Sequence, residues 1–271
     1  MTLHACAVLC VCFSLVSGAL KPEYKEVLDA HNARRSRLAL GKECGAPKGR
    51  YMKKLVWDDS LSAEAQAYTD KCIFEHDPNL KRGSENLATA FTPEQAVEMW
   101  FREIDLLKPH PELIGSKYGY PPGGDEIGHF AVMAWNTMEK VGCGVKLCPQ
   151  KTTETVCDEN GCQDKTVQMK ITLVICRYLG PDPKSGLSEP LMSDIPIYEE
   201  GETCSDCSGA CEQGLCDGAP KSGGCFDNMD ECAQLAADGE CQDQSTANDC
   251  KVSCKKCIPY SYIGSTIIKC K

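Results

Sequence analysis

After its first twenty residues the chain has no stretch of about 18 consecutive apolar residues, the length that crosses a bilayer as a helix. It also lacks an excess of positive charge, because 39 acidic residues outweigh 29 basic ones and give a formal net charge of −10. Such a chain has no general attraction to nucleic acid or to anionic lipid. The sequence therefore predicts neither an integral membrane protein nor a nucleic-acid-binding protein.

Short catalytic signatures are missing too. The sequence contains no G-x-S-x-G nucleophile elbow and no H-E-x-x-H zinc motif. No asparagine stands in an N-x-S/T pattern, so N-glycosylation is not expected. These absences disfavour the common hydrolase classes and lead to the prediction that the chain is not an enzyme.

The opening run MTLHACAVLCVCFSLVSGAL is apolar and ends in small residues, which is typical of a secretory signal peptide over residues 1–19. Three of the 21 cysteines lie in this run, so the remainder is an even number. A cysteine-rich chain with an even count is typical of an oxidised, secreted, extracellular protein.

Three helices are predicted in the first part of the chain. The first spans residues 22 to about 40, where apolar side chains recur on one face. The second begins after Asp58, and the third begins at Thr92, which forms a capping-box pattern with Gln95. The apolar face of the third helix includes Glu103, so we expect this carboxylate to have a partner.

Two strands with a hairpin turn follow. Residues 141–148 and 166–178 are rich in β-branched side chains. The segment CDENGC at 157–162 contains an Asn-Gly pair, a strong hairpin-turn signal, and its two cysteines are positioned to bridge the turn.

The C-terminal part has a different composition. Prolines and glycines in residues 181–203 indicate a linker. Residues 204–257 contain ten cysteines and few large apolar side chains, so cross-links rather than a core are expected to hold them. Because C-x2-C occurs twice, zinc binding is the alternative, but an oxidising compartment favours disulfides.

Four motifs stand in order along the chain: HNARR (31–35), SENL (84–87), GHFAVMAW (128–135) and VICRY (174–178). With the cysteine patterns that follow, the sequence resembles the CAP superfamily of cysteine-rich secretory proteins, antigen 5 and plant pathogenesis-related proteins. Within that superfamily, its first domain is most similar to the venom allergen-like proteins. The C-terminal part resembles the hinge and the ShK-like, ion-channel-regulatory module of cysteine-rich secretory proteins. The resemblance implies an α/β fold, an α-β-α sandwich followed by a small disulfide-rich module that is mainly helical or irregular.

The predicted segments are a signal peptide at 1–19, a CAP domain at 20–180, a Pro/Gly linker at 181–203, a cysteine-rich hinge at 204–216, an ShK-like module at 225–257 and a tail at 258–271.

The resemblance also implies four cleft residues, which are His76, Glu85, Glu103 and His129. Two imidazoles and two carboxylates can hold a divalent ion, so Zn²⁺ is an expected ligand, although no cofactor is required. The alternative is that both His–Glu pairs are structural and tie segments together by hydrogen bonds.

One departure from the family pattern bears on activity. The motif usually reads close to GHFTQMVW, whereas this chain has Ala131 and Val132 in place of the threonine and the glutamine. Two polar side chains next to the histidine are therefore missing, which favours a cleft that binds over one that hydrolyses.

The resemblance implies most of the disulfide pairs. The hairpin turn suggests Cys157–Cys162, and Cys44 and Cys270 are the two cysteines that remain. The predicted pairs are Cys72–Cys148, Cys143–Cys176, Cys157–Cys162, Cys204–Cys211, Cys207–Cys216, Cys225–Cys257, Cys232–Cys250, Cys241–Cys254 and Cys44–Cys270.

The function predicted from the sequence is that of a secreted, non-enzymatic protein. It would bind a lipid, a sterol or a divalent metal in the cleft, or engage a membrane receptor or ion channel through its C-terminal part. One alternative is a venom or salivary toxin that modulates ion channels through residues 204–257; another is a weak cleft hydrolase using His129 with Glu85 or Glu103. The seven acids and three lysines of residues 225–257 speak against a pore-blocking module.

Overall fold

The fold is described from a computed structural model, which describes residues 20–109, 127–158, 161–180, 197–221, 231–251 and 253–256. The predicted signal peptide, the tail at 258–271 and residues 181–196 of the predicted linker lie outside the described residues. No helix in the described ranges is long and apolar enough to cross a membrane.

The first domain contains five helices and four strands within the described residues. The helices are α1 (Pro22–Ala39), α2 (Asp59–Thr69), α3 (Pro93–Arg102), α4 (Ile104–Leu107) and α5 (Gly128–Ala134). The strands are β1 (Val56–Trp57), β2 (Ser84–Ala90), β3 (Lys140–Asp158) and β4 (Gly161–Leu179).

Two helices begin at the capping residues that the sequence predicts. The side chain of Asp58 accepts a hydrogen bond from the backbone N–H of Leu61 at 2.9 Å. Thr92 forms a complete capping box with Gln95. Each such cap stabilises a helix by about 1 kcal/mol, since it satisfies N–H groups that have no partner within the helix.

The four strands form one sheet in the order β1-β3-β4-β2. Strand β4 runs antiparallel to both β3 and β2, whereas β1 is parallel to β3. Alternate residues of β4 enter two separate cores: Val174 and Tyr178 pack with α1, α3 and α5, while Leu173 and Ile175 pack with α2. Helices therefore cover both faces, which confirms the predicted α-β-α sandwich.

The two long strands are longer than the sequence predicts. Strands β3 and β4 each contain 19 residues and pair continuously from Lys140–Leu179 to Asp158–Gly161. Sequence periodicity identified only the parts that carry β-branched residues, because the outer halves are polar and have no buried face to mark them.

The structure contains seven of the nine predicted disulfides. They are Cys72–Cys148, Cys143–Cys176, Cys157–Cys162, Cys204–Cys211, Cys207–Cys216, Cys232–Cys250 and Cys241–Cys254. Cys44 is also disulfide-bonded, while its predicted partner Cys270 lies outside the described residues. The predicted Cys225–Cys257 pair lies wholly outside them.

The C-terminal end of the predicted linker is part of the domain core rather than a free connection. Ile197 and Tyr198 are fully buried in the larger core cluster, and the hydroxyl of Tyr198 donates to the carbonyl of Pro47 at 2.9 Å. A Pro/Gly-rich composition predicts a linker, but two large apolar side chains can still enter a core when a groove is available.

The hinge is joined to the first domain through its backbone. The N–H of Cys216 donates to the carbonyl of Met52 at 2.8 Å, and the N–H of Lys54 donates to the carbonyl of Cys216 at 2.9 Å. Leu215 is buried in the larger core cluster. The hinge thus packs as an extension of the sandwich.

Within the described residues the ShK-like segment is mainly helical. It contains the short helices Cys232–Ala237 and Gln244–Asp249 with a single 3-10 turn at Glu240–Gln242. The disulfide Cys232–Cys250 ties the first helix to the residue that ends the second, and Cys241–Cys254 ties the 3-10 turn to the chain that follows. This arrangement agrees with a module that is stabilised by cross-links more than by an apolar core.

Candidate functional site

His76 and Glu85 form the first of two histidine–carboxylate pairs. His76 lies in the loop after α2, and its Nδ1 is 3.1 Å from Oε1 of Glu85 on β2. The Glu85 side chain is only 1% exposed, whereas the imidazole of His76 is 63% exposed. The backbone N–H of Asp77 donates to the same carboxylate oxygen at 3.1 Å. A buried carboxylate thus holds one edge of an exposed imidazole.

Arg177 supplies the positive charge that the buried Glu85 needs. It lies directly across from Glu85 in the β2–β4 register, and its Nε donates to Oε2 of Glu85 at 3.2 Å. A second guanidinium nitrogen donates to Asp77 at 2.6 Å. Burial raises the pKa of Asp77, but the N–H of Asn79 and the Arg177 guanidinium outweigh it, so this pKa lies below its usual value.

Glu103 and His129 form the second pair. Glu103 stands at the junction of α3 and α4, and His129 lies in the first turn of α5. The distance from His129 Nδ1 to Glu103 Oε1 is 2.5 Å, and the N–H of Phe130 donates to Glu103 Oε2 at 2.9 Å. The imidazole also stacks on the ring of Trp100 with a centroid separation of 6.3 Å. The expectation that Glu103 has a partner is confirmed.

Both pairs hold the histidine in the same tautomer. Each Nδ1 faces a carboxylate oxygen, which can only accept, so Nδ1 carries the proton and donates. No described residue hydrogen-bonds to Nε2 of either His76 or His129. Among the described residues, neither Nε2 lone pair therefore has a partner, and each could bind an electrophile such as a metal ion.

Asn86 links the two pairs through the edge strand. It follows Glu85 on β2, and adjacent strand residues point to opposite faces of the sheet. The amide of Asn86 donates to the carbonyl of His129 at 3.1 Å and to the hydroxyl of Tyr178 at 3.3 Å. Glu85 and the backbone of His129 are thus held on either side of one strand.

The four predicted site residues are arranged as two pairs. In the part of the chain that the structure describes, no group of three or more His, Cys, Asp or Glu side chains is placed to hold a metal ion. All four carboxylate oxygens of Glu85 and Glu103 accept hydrogen bonds from the chain itself. The two Nε2 atoms are thus the site atoms that accept no hydrogen bond from any described residue.

Ala131 and Val132 are buried in the larger core cluster, at 0% and 4% exposure. Their replacement of the usual polar residues therefore alters the packing beneath α5 and not the exposed surface around His129.

His31 and Arg35 are buried polar residues of α1 that support the site, and neither is assigned a role from the sequence alone. His31 Nε2 lies 2.7 Å from the hydroxyl of Tyr178, and His31 Nδ1 lies 2.8 Å from the carbonyl of Val27. Burial lowers the pKa of His31 to about 4, so the imidazole is neutral. The spacing of Val27, His31 and Arg35, which places them on one buried helix face, is the sequence signal that could have identified His31 and Arg35 as buried.

Arg35 fixes the segment that leads out of α5. It is fully buried, and burial lowers the pKa of its guanidinium to about 9. The guanidinium donates to five backbone carbonyls, those of Lys53, Met133, Trp135, Asn136 and Met138. One side chain therefore satisfies the carbonyl of Met133 at the end of α5 and that of the C-cap Trp135, and ties both to the segment that follows.

Comparisons with known proteins agree with this fold. Residues 28–159 match the family model described as the cysteine-rich secretory protein family. Over 193 residues the chain is 29% identical to Scoloptoxin SSD976 from Scolopendra dehaani, a match that covers 68% of this chain and 77% of that protein. It is 30% identical over 231 residues to CRISP/Allergen/PR-1 from Trittame loki, covering 79% of this chain and half of that longer protein.

Two solved structures are similar in fold. The crystal structure of NaASP2 with Zn²⁺ superposes with a TM-score of 0.52 at 26% identity, covering 73% of this chain and 100% of that chain. The structure of BmVAL-1 has a TM-score of 0.53 at 26% identity, covering 75% of this chain and 98% of that chain.

Proposed function

Because its first domain belongs to the cysteine-rich secretory protein family, we propose that this chain is a secreted, non-catalytic protein that binds an extracellular ligand beside His76 and His129. The orientation of both imidazoles carries the proposal. Each oxygen of Glu85 and Glu103 accepts a hydrogen bond from the chain itself, and in each pair one of these bonds fixes Nδ1 of the histidine. The glutamates orient the imidazoles, and the imidazoles face outward.

Zn²⁺ is the first ligand to test. In metal sites a histidine commonly donates one ring N–H to a carboxylate while its other nitrogen binds the metal, and both histidines here have that arrangement. One fold relative, NaASP2, has been crystallised with Zn²⁺. Each imidazole offers one nitrogen to a metal, so water would have to complete the coordination, and we expect weak binding.

The experiment is a calorimetric titration of Zn²⁺ into the secreted full chain. Wild type should bind, and the His76→Ala/His129→Ala double variant should lose the heat signal. Asp70→Asn, which removes an exposed carboxylate outside both pairs, is the matched control and should bind as wild type does. Equal binding by the double variant would remove Zn²⁺ from the proposal. A titration with a fluorescent sterol on the same variants tests the lipid or sterol alternative.

The hydrolase alternative makes an opposite prediction. If His129 is a general base, ester or peptide substrates should be turned over by wild type and not by His129→Ala. Turnover that disappears in the variant would contradict the binding role.

Modulation of ion channels is a second candidate, and the similarity to the scoloptoxins favours it. The basic side chains available in the ShK-like segment are Lys251, Lys255 and Lys256, of which Lys255 and Lys256 are exposed. Currents through voltage-gated potassium and ryanodine-type channels should then fall on addition of the full chain and recover when these three lysines are changed to Gln. Lys42, Lys71 and Lys81, exposed on the first domain, provide a matched control triple.

A further inference from the structure

One disulfide of the described chain lies at the end of a hairpin and not in a core. Cys157 and Cys162 are directly opposed in the β3–β4 register, and the bridge between them closes the outer end of the hairpin. Strand β2 ends opposite Thr172, so residues 149–158 and 161–170 pair only with each other among the described strands. The bridge therefore joins two strands that their ladder already holds together.

Solvent reaches both cysteines of this bridge. Cys157 and Cys162 are both exposed, and this holds for no other disulfide whose two cysteines lie in the described ranges. In each of those other bridges at least one cysteine is buried or half-buried. Because a reductant must reach a sulfur atom, access is one of the factors that set the rate of thiol–disulfide exchange.

A second bridge in the same hairpin provides the comparison. Cys143–Cys176 also joins directly opposed residues of β3 and β4, and its Cα–Cα distance of 4.1 Å is close to the 3.9 Å of Cys157–Cys162. The two bridges differ in their surroundings, because Cys143 and Cys176 are 0% exposed within the larger core cluster. A reductant can reach this second bridge only when the sheet opens.

Opening the exposed bridge should leave the fold in place. The described core clusters contain no residue of 149–158 or 161–170. The two cysteines are separated by only five positions, and a disulfide that closes a short loop restricts the unfolded chain less than one that closes a long loop. The β3–β4 ladder would bring the two thiols back to each other after reduction, so the bridge can form again.

We propose that Cys157–Cys162 is a reversible redox site, which an external dithiol opens while the other described disulfides stay closed. One thiolate of the dithiol attacks a sulfur atom of the bridge, the S–S bond breaks, and the other cysteine leaves as a thiolate that takes a proton from water. The second thiolate of the dithiol then attacks the mixed disulfide and releases the first cysteine, which is protonated in turn. The protein gains two electrons and two protons, and the dithiol becomes a disulfide.

Reduction would give the protein an accessible pair of thiols. Every cysteine in the described part of the chain is disulfide-bonded, so the opened pair would be the thiols available there for a mixed disulfide with another molecule. Reduction would also release the end of the hairpin, so the rigidity of its outer part would depend on the redox state. The proposal does not depend on the ligand or on the proposed function.

Graded reduction of the secreted full chain tests the proposal. Dithiothreitol is added without denaturant, free thiols are blocked with iodoacetamide, and the alkylated cysteines are identified by peptide mass mapping. Cys157 and Cys162 should be alkylated at a dithiothreitol concentration at least about tenfold lower than Cys143 and Cys176. Earlier opening of any other described disulfide would overturn the proposal, and so would resistance of Cys157–Cys162 until the sandwich unfolds.

Reoxidation and a matched variant complete the test. After removal of dithiothreitol, oxidised glutathione should restore the Cys157–Cys162 bridge, whereas a lasting loss of the bridge or new pairings would contradict its reversibility. At the same low dithiothreitol concentration, Cys157→Ser/Cys162→Ser should show no alkylated cysteine among the described residues. Alkylation of this variant would assign the labile bridge to other cysteines and contradict the proposal.

Discussion

The Nε2 atom of His31 accepts a hydrogen bond from the hydroxyl of Tyr178 across 2.7 Å, although 147 residues separate them. The direction follows from His31 Nδ1, which donates to the carbonyl of Val27 and so leaves Nε2 as an acceptor. The same hydroxyl accepts from Asn86, whose amide also holds the carbonyl of His129. A buried chain of hydrogen bonds therefore connects α1 with the helix that carries a site histidine.

Removing the Tyr178 hydroxyl should destabilise the fold. Tyr178→Phe leaves Nε2 of His31 without a donor and removes one of the two acceptors of the Asn86 amide, and all three residues are buried. We expect the free energy of unfolding to fall by about 1–3 kcal/mol, measured by guanidinium denaturation. Tyr24→Phe removes a hydroxyl from a partly buried residue and should lower the free energy of unfolding much less. Equal effects of the two variants would contradict the buried chain.

Stability should depend on the protonation of His31. Burial lowers the pKa of this imidazole from 6.5 to about 4. Between those values the unfolded chain binds a proton that the native chain does not, so the free energy of unfolding should fall as the pH drops from 6.5 to about 4. The full effect corresponds to about 3 kcal/mol.

The variant His31→Gln cannot titrate and provides the comparison for this prediction. Carboxylates titrate in both proteins, so the informative quantity is the extra stability that wild type loses between pH 7 and pH 4. Proton NMR offers a second measurement, since the His31 ring signals should stay at their neutral positions down to about pH 5. A His31 titration near pH 6.5 would contradict the prediction.

Glu103→Gln should disturb the orientation of His129. The carboxylate accepts from both His129 Nδ1 and the N–H of Phe130, whereas glutamine has one acceptor oxygen and would turn its NH2 group toward one of these donors. We expect a loss of about 1–2 kcal/mol in stability. The ¹⁵N shifts of the His129 ring should also report a changed tautomer.

Glu98→Gln is the control for this variant, since Glu98 lies on the same helix and makes more exposed ion pairs with Arg34 and Arg102. Its effect on stability should stay within about 1 kcal/mol, and the His129 ring shifts should not change. An unchanged ring signal in Glu103→Gln would count against a positioning role for Glu103.

Loss of the Cys157–Cys162 bridge should act locally. The outer part of the β3–β4 hairpin, residues 149–158 and 161–170, packs against no described core, so Cys157→Ser/Cys162→Ser should loosen it without unfolding the sandwich. Amide hydrogen exchange should become faster in residues 150–158 and 161–170 and stay unchanged in residues 173–178. Faster exchange throughout β4 would show instead that the bridge supports the whole sheet.

Several elements were predictable because their signals are local. The caps at Asp58 and Thr92 depend on a residue three positions away, and the hairpin turn depends on two adjacent residues. The resemblance to a known family supplied the α-β-α order and the disulfide pairs that the structure contains. The same resemblance named His76, Glu85, Glu103 and His129, and the structure arranges them as two pairs.

Other features were not predictable because they depend on partners far along the chain. Composition alone marked residues 197–203 as linker, since nothing nearby shows that Ile197 and Tyr198 find a groove in the core. Gln66 looks like an ordinary helical residue, yet its amide completes the backbone edge of β3.

By itself the sequence determined the resemblance to a known family, the acidic character, the positions where helices begin and the residue types available to the site. Only the tertiary structure decided how those residues are used: which carboxylate orients each imidazole, and which ring nitrogen of each histidine has no partner among the described residues. The physical reason is that propensity and capping act over three or four residues. The protonation of His31 and the burial of Glu85 depend on contacts that exist only once distant segments have packed together.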